Sequence, residues 1–217
     1  MPQVTKIAAQ RRRPNRRNVY LDGVFAFGCK LNVIARFRLR EGMILNDEQV
    51  LEIEQGEVRQ ECFDQAMKFL QKRLHSRAEL IAKLNRREYG QAMVISVTDQ
   101  LVELGYLDDA RFALGKARSA AQHKHHGRGR AKIELMKSGV RGATAEKALD
   151  EAYSQADSPA VARQLAQKQL PRLRKLDPAV ARRRLSGMLA RRGFDFETIG
   201  PVVKEVLGEG DEMDDSI

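Results

Sequence analysis

The sequence predicts a mainly α-helical chain: a tandem array of three three-helix, helix-turn-helix-like modules behind a small N-terminal region containing a β-hairpin. Three observations predict it. From about residue 61 onward, apolar side chains recur at helical spacing, without the alternation of strands. Leu84, Leu135 and Leu189, set in register, bring the apolar positions of the last two helices of each copy into coincidence, at offsets of 51 and 54 residues. The octet Gly105-Tyr106-Leu107-Asp108-Asp109-Ala110-Arg111-Phe112 closes one helical unit and opens the next. Units of this size have marginal cores alone, so neighbours are expected to lean on one another.

The elements follow in order. Residues 1–17 carry no hydrophobic period and are expected to form a disordered basic arm. Residues 18–60 hold a β-hairpin, because Asp22-Gly23 between two β-prone runs suits the positive φ angles of a type I′ turn. Leu31–Phe37 fits either a short helix or a third strand. Asn46 with Gln49 marks a capped helix that Gly56 is expected to interrupt or end. Repeat one spans 61–106. Phe63, Ala66, Leu70 and Leu74 share a helix face there, Ser76-Arg77-Ala78-Glu79 reads as a capping box, and Val94, Val97 and Leu101 mark a third helix.

Gly105 supplies the left-handed residue that commonly ends a helix. After Tyr106, Asp108 can accept hydrogen bonds from the free N–H groups of a new helix, worth about 1 kcal/mol over alanine. Asp109 follows the cap. Leu107 and Phe112 stand at the two positions of a hydrophobic staple. Repeat two spans 107–154 and stops its second helix at Gly139. Repeat three spans 155–208, with Pro159 and Pro178 near helix starts and a stop at Gly193. Residues 209–217 form an acidic tail, expected to be disordered.

Composition narrows the partners. The 217 residues are 42% apolar and include no run as long as a membrane span, and no apolar segment follows the basic N-terminus as in a secretory signal. The Arg-rich, acid-poor start also fits a transit peptide or nuclear signal, both ranked below a nucleic-acid arm. Cys29 and Cys62 lie far apart and read as reduced thiols of a cytoplasmic protein. The net charge of +10 is uneven: Asp22 is the only acid in residues 1–40. Such asymmetry points to an anionic partner. Two further basic blocks supply contacts nominated on charge alone. They are Arg111, Arg118, Lys124, Arg128, Arg130, Lys132 and Lys137 in repeat two, and Arg163, Arg182, Arg183, Arg184, Arg191 and Arg192 in repeat three. The expected mode is a shared cationic flank adhering to a long polyanionic assembly.

Enzymatic constellations are missing from the sequence. Gly127-Arg128-Gly129 lacks the third glycine and preceding strand of a phosphate cradle. His123, His125 and His126 have no cysteine or carboxylate at metal-ligand spacing, and the Asp108-Asp109 pair is explained by capping. No catalytic residue, metal or cofactor is expected. A stand-alone helix-turn-helix regulator would project Arg, Asn or Gln from its third helices into the major groove. Here the main charges of those helices are Asp99, then Glu146, Lys147, Asp150 and Glu151, then Glu197, Lys204 and Glu205, which disfavours base reading.

The chain resembles the RecX family, bacterial modulators of the RecA recombinase. The stretches that carry the resemblance are Ser76–Leu80 with Lys83-Leu84, Leu104–Phe112, Gly127–Leu135 with Gly139-Val140, and Leu189–Phe194; the hairpin at Asn18–Phe27 is similar to the N-terminal extension of longer members. It covers residues 18–207. Glu88 departs from it, standing where the other two copies have glycine, and the first 17 residues and the acidic tail are expected to lie outside it. The resemblance implies three tandem modules that bind the RecA–DNA filament and tune RecA's ATP hydrolysis, strand exchange and co-protease activity without catalysis. The implied partners are RecA, as monomer or filament, and single- or double-stranded DNA within or apart from it. No membrane partner is expected, and the chain is expected to be a monomer.

Overall fold

The computed structural model, which describes residues 1–154 and 158–208, gives the N-terminal region three strands. These are β1 (Val4–Gln10), β2 (Arg13–Leu21) and β3 (Val24–Lys30), antiparallel in the order β1-β2-β3. The basic arm expected to be disordered is therefore β1 and most of β2. Register shifts between Val4 and Lys6 and between Ala9 and Gln10 break the alternation of apolar residues that would have marked β1. The turn at Asp22 (φ 49°) and Gly23 (φ 81°) has the two positive angles expected of it.

Helix α1 (Leu31–Phe37) resolves the helix-or-strand ambiguity, and Arg38 ends it at φ 50°. Helix α2 (Asp47–Leu70) starts at a complete capping box, Asn46 Oδ1 accepting from Gln49 N at 2.7 Å and Gln49 Oε1 accepting from Asn46 N at 2.9 Å. Gly56 does not break it. A Cβ there would lie 2.5 Å from Phe37 Cε2, so the missing side chain admits the phenylalanine ring against the helix. The division drawn at residue 60 consequently falls inside one helix. Its first half gives Ile53 to a core with Val4, Val19, Phe27, Val33 and Leu45, and its second half gives Cys62 and Ala66 to another. Leu74, expected on the same face, lies past the helix end and is 43% exposed.

The chain divides into two units: Met1–His75 with Leu80–Leu107, and Ser76–Glu79 with the chain from Asp108 onward. In the first, α3 (Arg77–Asn85) and α4 (Gln91–Glu103) close a core of Leu80, Leu84, Val94, Val97, Leu101 and Leu107. In the second, α5 (Asp109–Gln122), α6 (Arg128–Lys137) and α7 (Gly142–Tyr153) surround Phe112, Ala117, Leu135 and Leu149. A further core of Ala166, Leu185, Leu189, Phe194 and Val202 belongs to α8 (Ser158–Leu173), α9 (Pro178–Arg191) and α10 (Phe196–Leu207). Leu107 and Phe112 thus enter different cores, which corrects the expected staple between them. The acidic-tail reading concerns residues 209–217, which lie outside the described residues.

The stop signals share one geometry. Gly105, Gly139 and Gly193 take φ of +73°, +81° and +87°. Each is followed by a residue whose N–H reaches back to the carbonyl of a buried leucine: Tyr106 to Leu101, Val140 to Leu135 and Phe194 to Leu189. These are Schellman closures, satisfying carbonyls that the helix end would otherwise leave free. Glu88 adopts φ 62° at the equivalent place, so the left-handed residue is kept there without the glycine, and it is the amide of Arg87 that donates to the carbonyl of Leu84, at 2.9 Å.

Candidate functional site

Within the second unit the helix starts and glycine turns fit one another. The side chain of Asp108 caps α5, Oδ1 accepting from Ala110 N at 2.8 Å and Arg111 N at 3.0 Å. Asp109 Oδ1 accepts from Arg77 N at 2.7 Å. Ser76 Oγ accepts from Glu79 N at 3.0 Å and donates to the carbonyl of Ser138 at 2.5 Å. The corresponding start of α6 has glycine instead of a capping side chain, and backbone takes over. Gly127 N donates to Arg192 O at 2.9 Å and Gly129 N to Gly193 O at 3.1 Å. Two amides free at a helix N-terminus are thereby satisfied by the glycine turn that ends α9.

Around this joint lies a cleft of about 880 Å³ lined by His126, Arg128, Arg130, Ile133, Met188, Arg191, Arg192, Phe194 and Asp195. Met188 and Arg191 also line a groove of about 580 Å³ between α8 and α9, whose other walls include Gln169, Arg172, Leu173, Leu176, Arg183, Arg184 and Leu185. The groove has four arginines and no carboxylate among its lining residues. Apolar floors under guanidinium rims strengthen the field felt by an anion, because low-dielectric walls screen it less than water does.

The two nominated blocks behave differently. In repeat two the fold itself neutralises most of the charge. Arg118 meets Glu151 at 2.7 Å, Lys124 meets Glu134 at 2.9 Å, and Lys132 meets Glu146 at 2.6 Å. Arg128 bridges Glu146 at 2.7 Å and Asp150 at 2.6 Å, and Arg130 approaches Glu134 at 3.9 Å. Arg163 of repeat three is likewise tied, to Glu205 at 2.8 Å. Arg111 and Lys137 are exposed on α5 and α6 and line neither cavity. Arg182, Arg183, Arg184 and Arg191 are exposed on α9 and make no ion pair among the described residues. Arg192 is half-buried and donates to Lys124 O at 3.1 Å. Among the nominated cations, the unpaired charge therefore concentrates on α9. Arg172, which belongs to the same basic block in the sequence but is not among its nominated contacts, joins it across the groove; its four-residue-earlier neighbour Lys168 and the run Arg172-Leu173-Arg174-Lys175 give no sign of which face meets α9.

The two cysteines lie in the interior. Burial pushes the thiols of Cys29 and Cys62 up to about 11, and both are inaccessible. Among the described residues no group of three His, Cys, Asp or Glu side chains is arranged to hold a metal ion, and no helix is long and apolar enough to cross a membrane.

Comparison with known proteins identifies the domains of the chain. Residues 2–46 match the regulatory protein RecX N-terminal domain, and residues 62–101, 108–149 and 156–203 match the first, second and third three-helix domains of RecX. The first of these matches reaches into the Arg-rich segment, so the likeness is not confined to residues 18–207. The chain is 30% identical over 214 residues to the regulatory protein RecX of Bacillus subtilis (strain 168), covering 98% of this chain and 80% of that protein. It is 34% identical over 146 residues to the regulatory protein RecX of Chlorobium phaeobacteroides (strain BS1), covering 67% and 93%. A crystal structure of a regulatory protein RecX superposes with a TM-score of 0.81 at 22% identity, over 93% of this chain and 98% of that one. That of RecX from Lactobacillus salivarius gives 0.63 at 19% identity, over 70% and 97%.

Proposed function

The chain belongs to the RecX family of regulatory proteins, and from that premise we propose that it is a non-enzymatic regulator that binds the RecA–DNA filament. Binding inhibits or modulates RecA's ATPase, strand exchange and co-protease activity, and the chain acts as a cytoplasmic monomer needing no cofactor. The observation that carries the reading is the groove between α8 and α9, where Arg172, Arg183, Arg184 and Arg191 face an apolar floor with no carboxylate among the lining residues. Guanidinium groups of this kind bind phosphate and carboxylate oxygens in bidentate fashion. They offer a filament both its nucleic-acid backbone and its acidic side chains as partners.

A stand-alone regulator that reads duplex sequence is less well supported. The acidic side chains of α7, Glu146 and Asp150, are engaged with α6 through Arg128 and Lys132, so this third helix presents no reading set of Arg, Asn or Gln. The test is a titration of the chain against RecA hydrolysing ATP on single-stranded DNA. Suppression that saturates at a fixed ratio of chain to RecA is expected; an unchanged rate at saturating chain rejects the proposal.

A further inference from the structure

The first unit carries a second, separate concentration of unpaired cations, at the tip of the β1–β2 hairpin. Gln10 pairs with Arg13, leaving Arg11 and Arg12 as the turn, while β3 pairs with β2 only from Arg16 opposite Lys30. Residues 11–15 therefore have no β3 partner, and all five are exposed. The neighbouring arginines are occupied. Arg16 is held against α2 by Glu57 at 2.8 Å and Glu61 at 3.1 Å, and Arg17 donates to the carbonyl of Pro14 at 2.7 Å. Arg11, Arg12 and Arg13 make no ion pair among the described residues.

Folding does not call for arginine at this turn. The other hairpin of the same sheet uses Asp22 and Gly23 at positive φ, the pair that a tight turn favours. Neither Arg11 nor Arg12 takes a positive φ, and three adjacent like charges repel one another. The residues are instead what a polyanion selects. We propose that this arginine-tipped ribbon is a binding element for duplex DNA, laying its guanidinium groups on the phosphates that border a groove.

Duplex is favoured over single strand by what surrounds the tip. A two-stranded ribbon fits the major groove, and arginine is attracted into narrow minor grooves. Single-strand binders add aromatic platforms on which bases stack. The aromatic pair of this sheet, Tyr20 on β2 and Phe25 on β3, lies instead beside the Asp22-Gly23 turn of the other hairpin, at the far end of β2 from the arginine tip. The element is a different site from the α8–α9 groove, and it is measured with DNA alone, so its failure leaves the reading of RecA regulation untouched.

The experiment follows binding of the full chain to a labelled random-sequence duplex, and to the matching single strand, by fluorescence anisotropy across salt concentrations. With three phosphates contacted, Arg11→Ala/Arg12→Ala/Arg13→Ala makes the salt slope for the duplex shallower by about 2.7, a change worth about 40-fold in affinity between 50 and 200 mM salt. The single substitutions each remove about 0.9 from the slope, and they keep the test decisive if the triple variant folds poorly. Arg→Lys at all three positions retains most of the slope, since phosphate contact depends on charge. A duplex slope unchanged by these alanines overturns the inference. So does a loss confined to the single strand, or a loss of RecA binding with duplex binding intact, which would mark an acidic protein surface as the occupant.

Discussion

The carbonyl oxygen of Gly193 accepts a hydrogen bond from the amide of Gly129 at 3.1 Å. The turn that ends α9 thus serves as the cap that α6 lacks. The approach is too close for a side chain: a Cβ at Gly193 would overlap the backbone and Cβ of Arg130, and one at Gly139 would overlap the Cβ of Ala78. At Gly105, by contrast, a Cβ would meet nothing within 4 Å, although the backbone is equally left-handed. These glycines separate two demands, one conformational and one steric.

Alanine at Gly105 is expected to cost about 1–2 kcal/mol, the penalty of a left-handed L-residue. Alanine at Gly193 adds an overlap with backbone, for a total of about 2–5 kcal/mol. Urea unfolding of the three variants, Gly139→Ala included, measures the difference. Equal losses at Gly105 and Gly193 would show that the joint is not tightly packed.

Glu88 explains itself on the same terms. It takes the left-handed angle that Gly139 and Gly193 take, yet its side chain is exposed. The position needs the conformation but not the space. Glu88→Gly is accordingly expected to raise stability by about 1 kcal/mol, read as a higher urea midpoint.

The helical repeat was legible because its signals are local. Leu84, Leu135 and Leu189 each sit on the apolar face of their own helix and are all buried, and a left-handed residue follows each of those helices, glycine in two of the three. The N-terminal strand was not legible, since two register shifts hide its alternation. Nor did Gly56 announce whether it breaks a helix or receives Phe37, because that depends on a contact 19 residues away in the chain. Charge was the least legible. Arg128 and Lys132 look in sequence like Arg183 and Arg184; only the return of α7 beside α6, bringing Glu146 and Asp150, distinguishes structural cations from free ones.

Charge reversal should expose that distinction. Arg128→Glu faces Glu146 and Asp150 and is expected to lower the melting temperature by roughly 2–4 °C. Arg183→Glu/Arg184→Glu breaks no ion pair of the described residues and should leave the melt within about 1 °C while weakening filament binding. Differential scanning calorimetry beside a filament-binding assay checks both. Equal melting of the two variants would contradict the division between paired and free arginines.

Acidification should weaken the second unit, beginning near His126. Burial lowers the pKa of this histidine most, and Arg192, Lys124 and Arg130 act with burial against Glu134 at 3.1 Å, so it titrates below its ordinary 6.5. The unfolded chain takes up the proton first. The contribution is therefore full above 6.5 and is lost as pH falls from there through the folded value. Glu134 follows: burial alone would raise it, but the hydrogen bond and charge of Lys124, with His126 and Lys116, hold it below the ordinary carboxylate range. Its contribution disappears as pH falls through that depressed value. His126→Gln is expected to flatten the loss of urea midpoint between neutrality and about pH 5.5. An identical pH profile in the two proteins would remove His126 from the account.

The most direct test of the central claim is RecA's ATPase rate on single-stranded DNA, titrated with the unaltered chain and with Arg183→Glu/Arg184→Glu. The account predicts stoichiometric suppression by the unaltered chain and little by the variant, whose fold is intact. Suppression of equal strength by both would contradict the role given to the α8–α9 groove, and no suppression by either would contradict regulation through the filament.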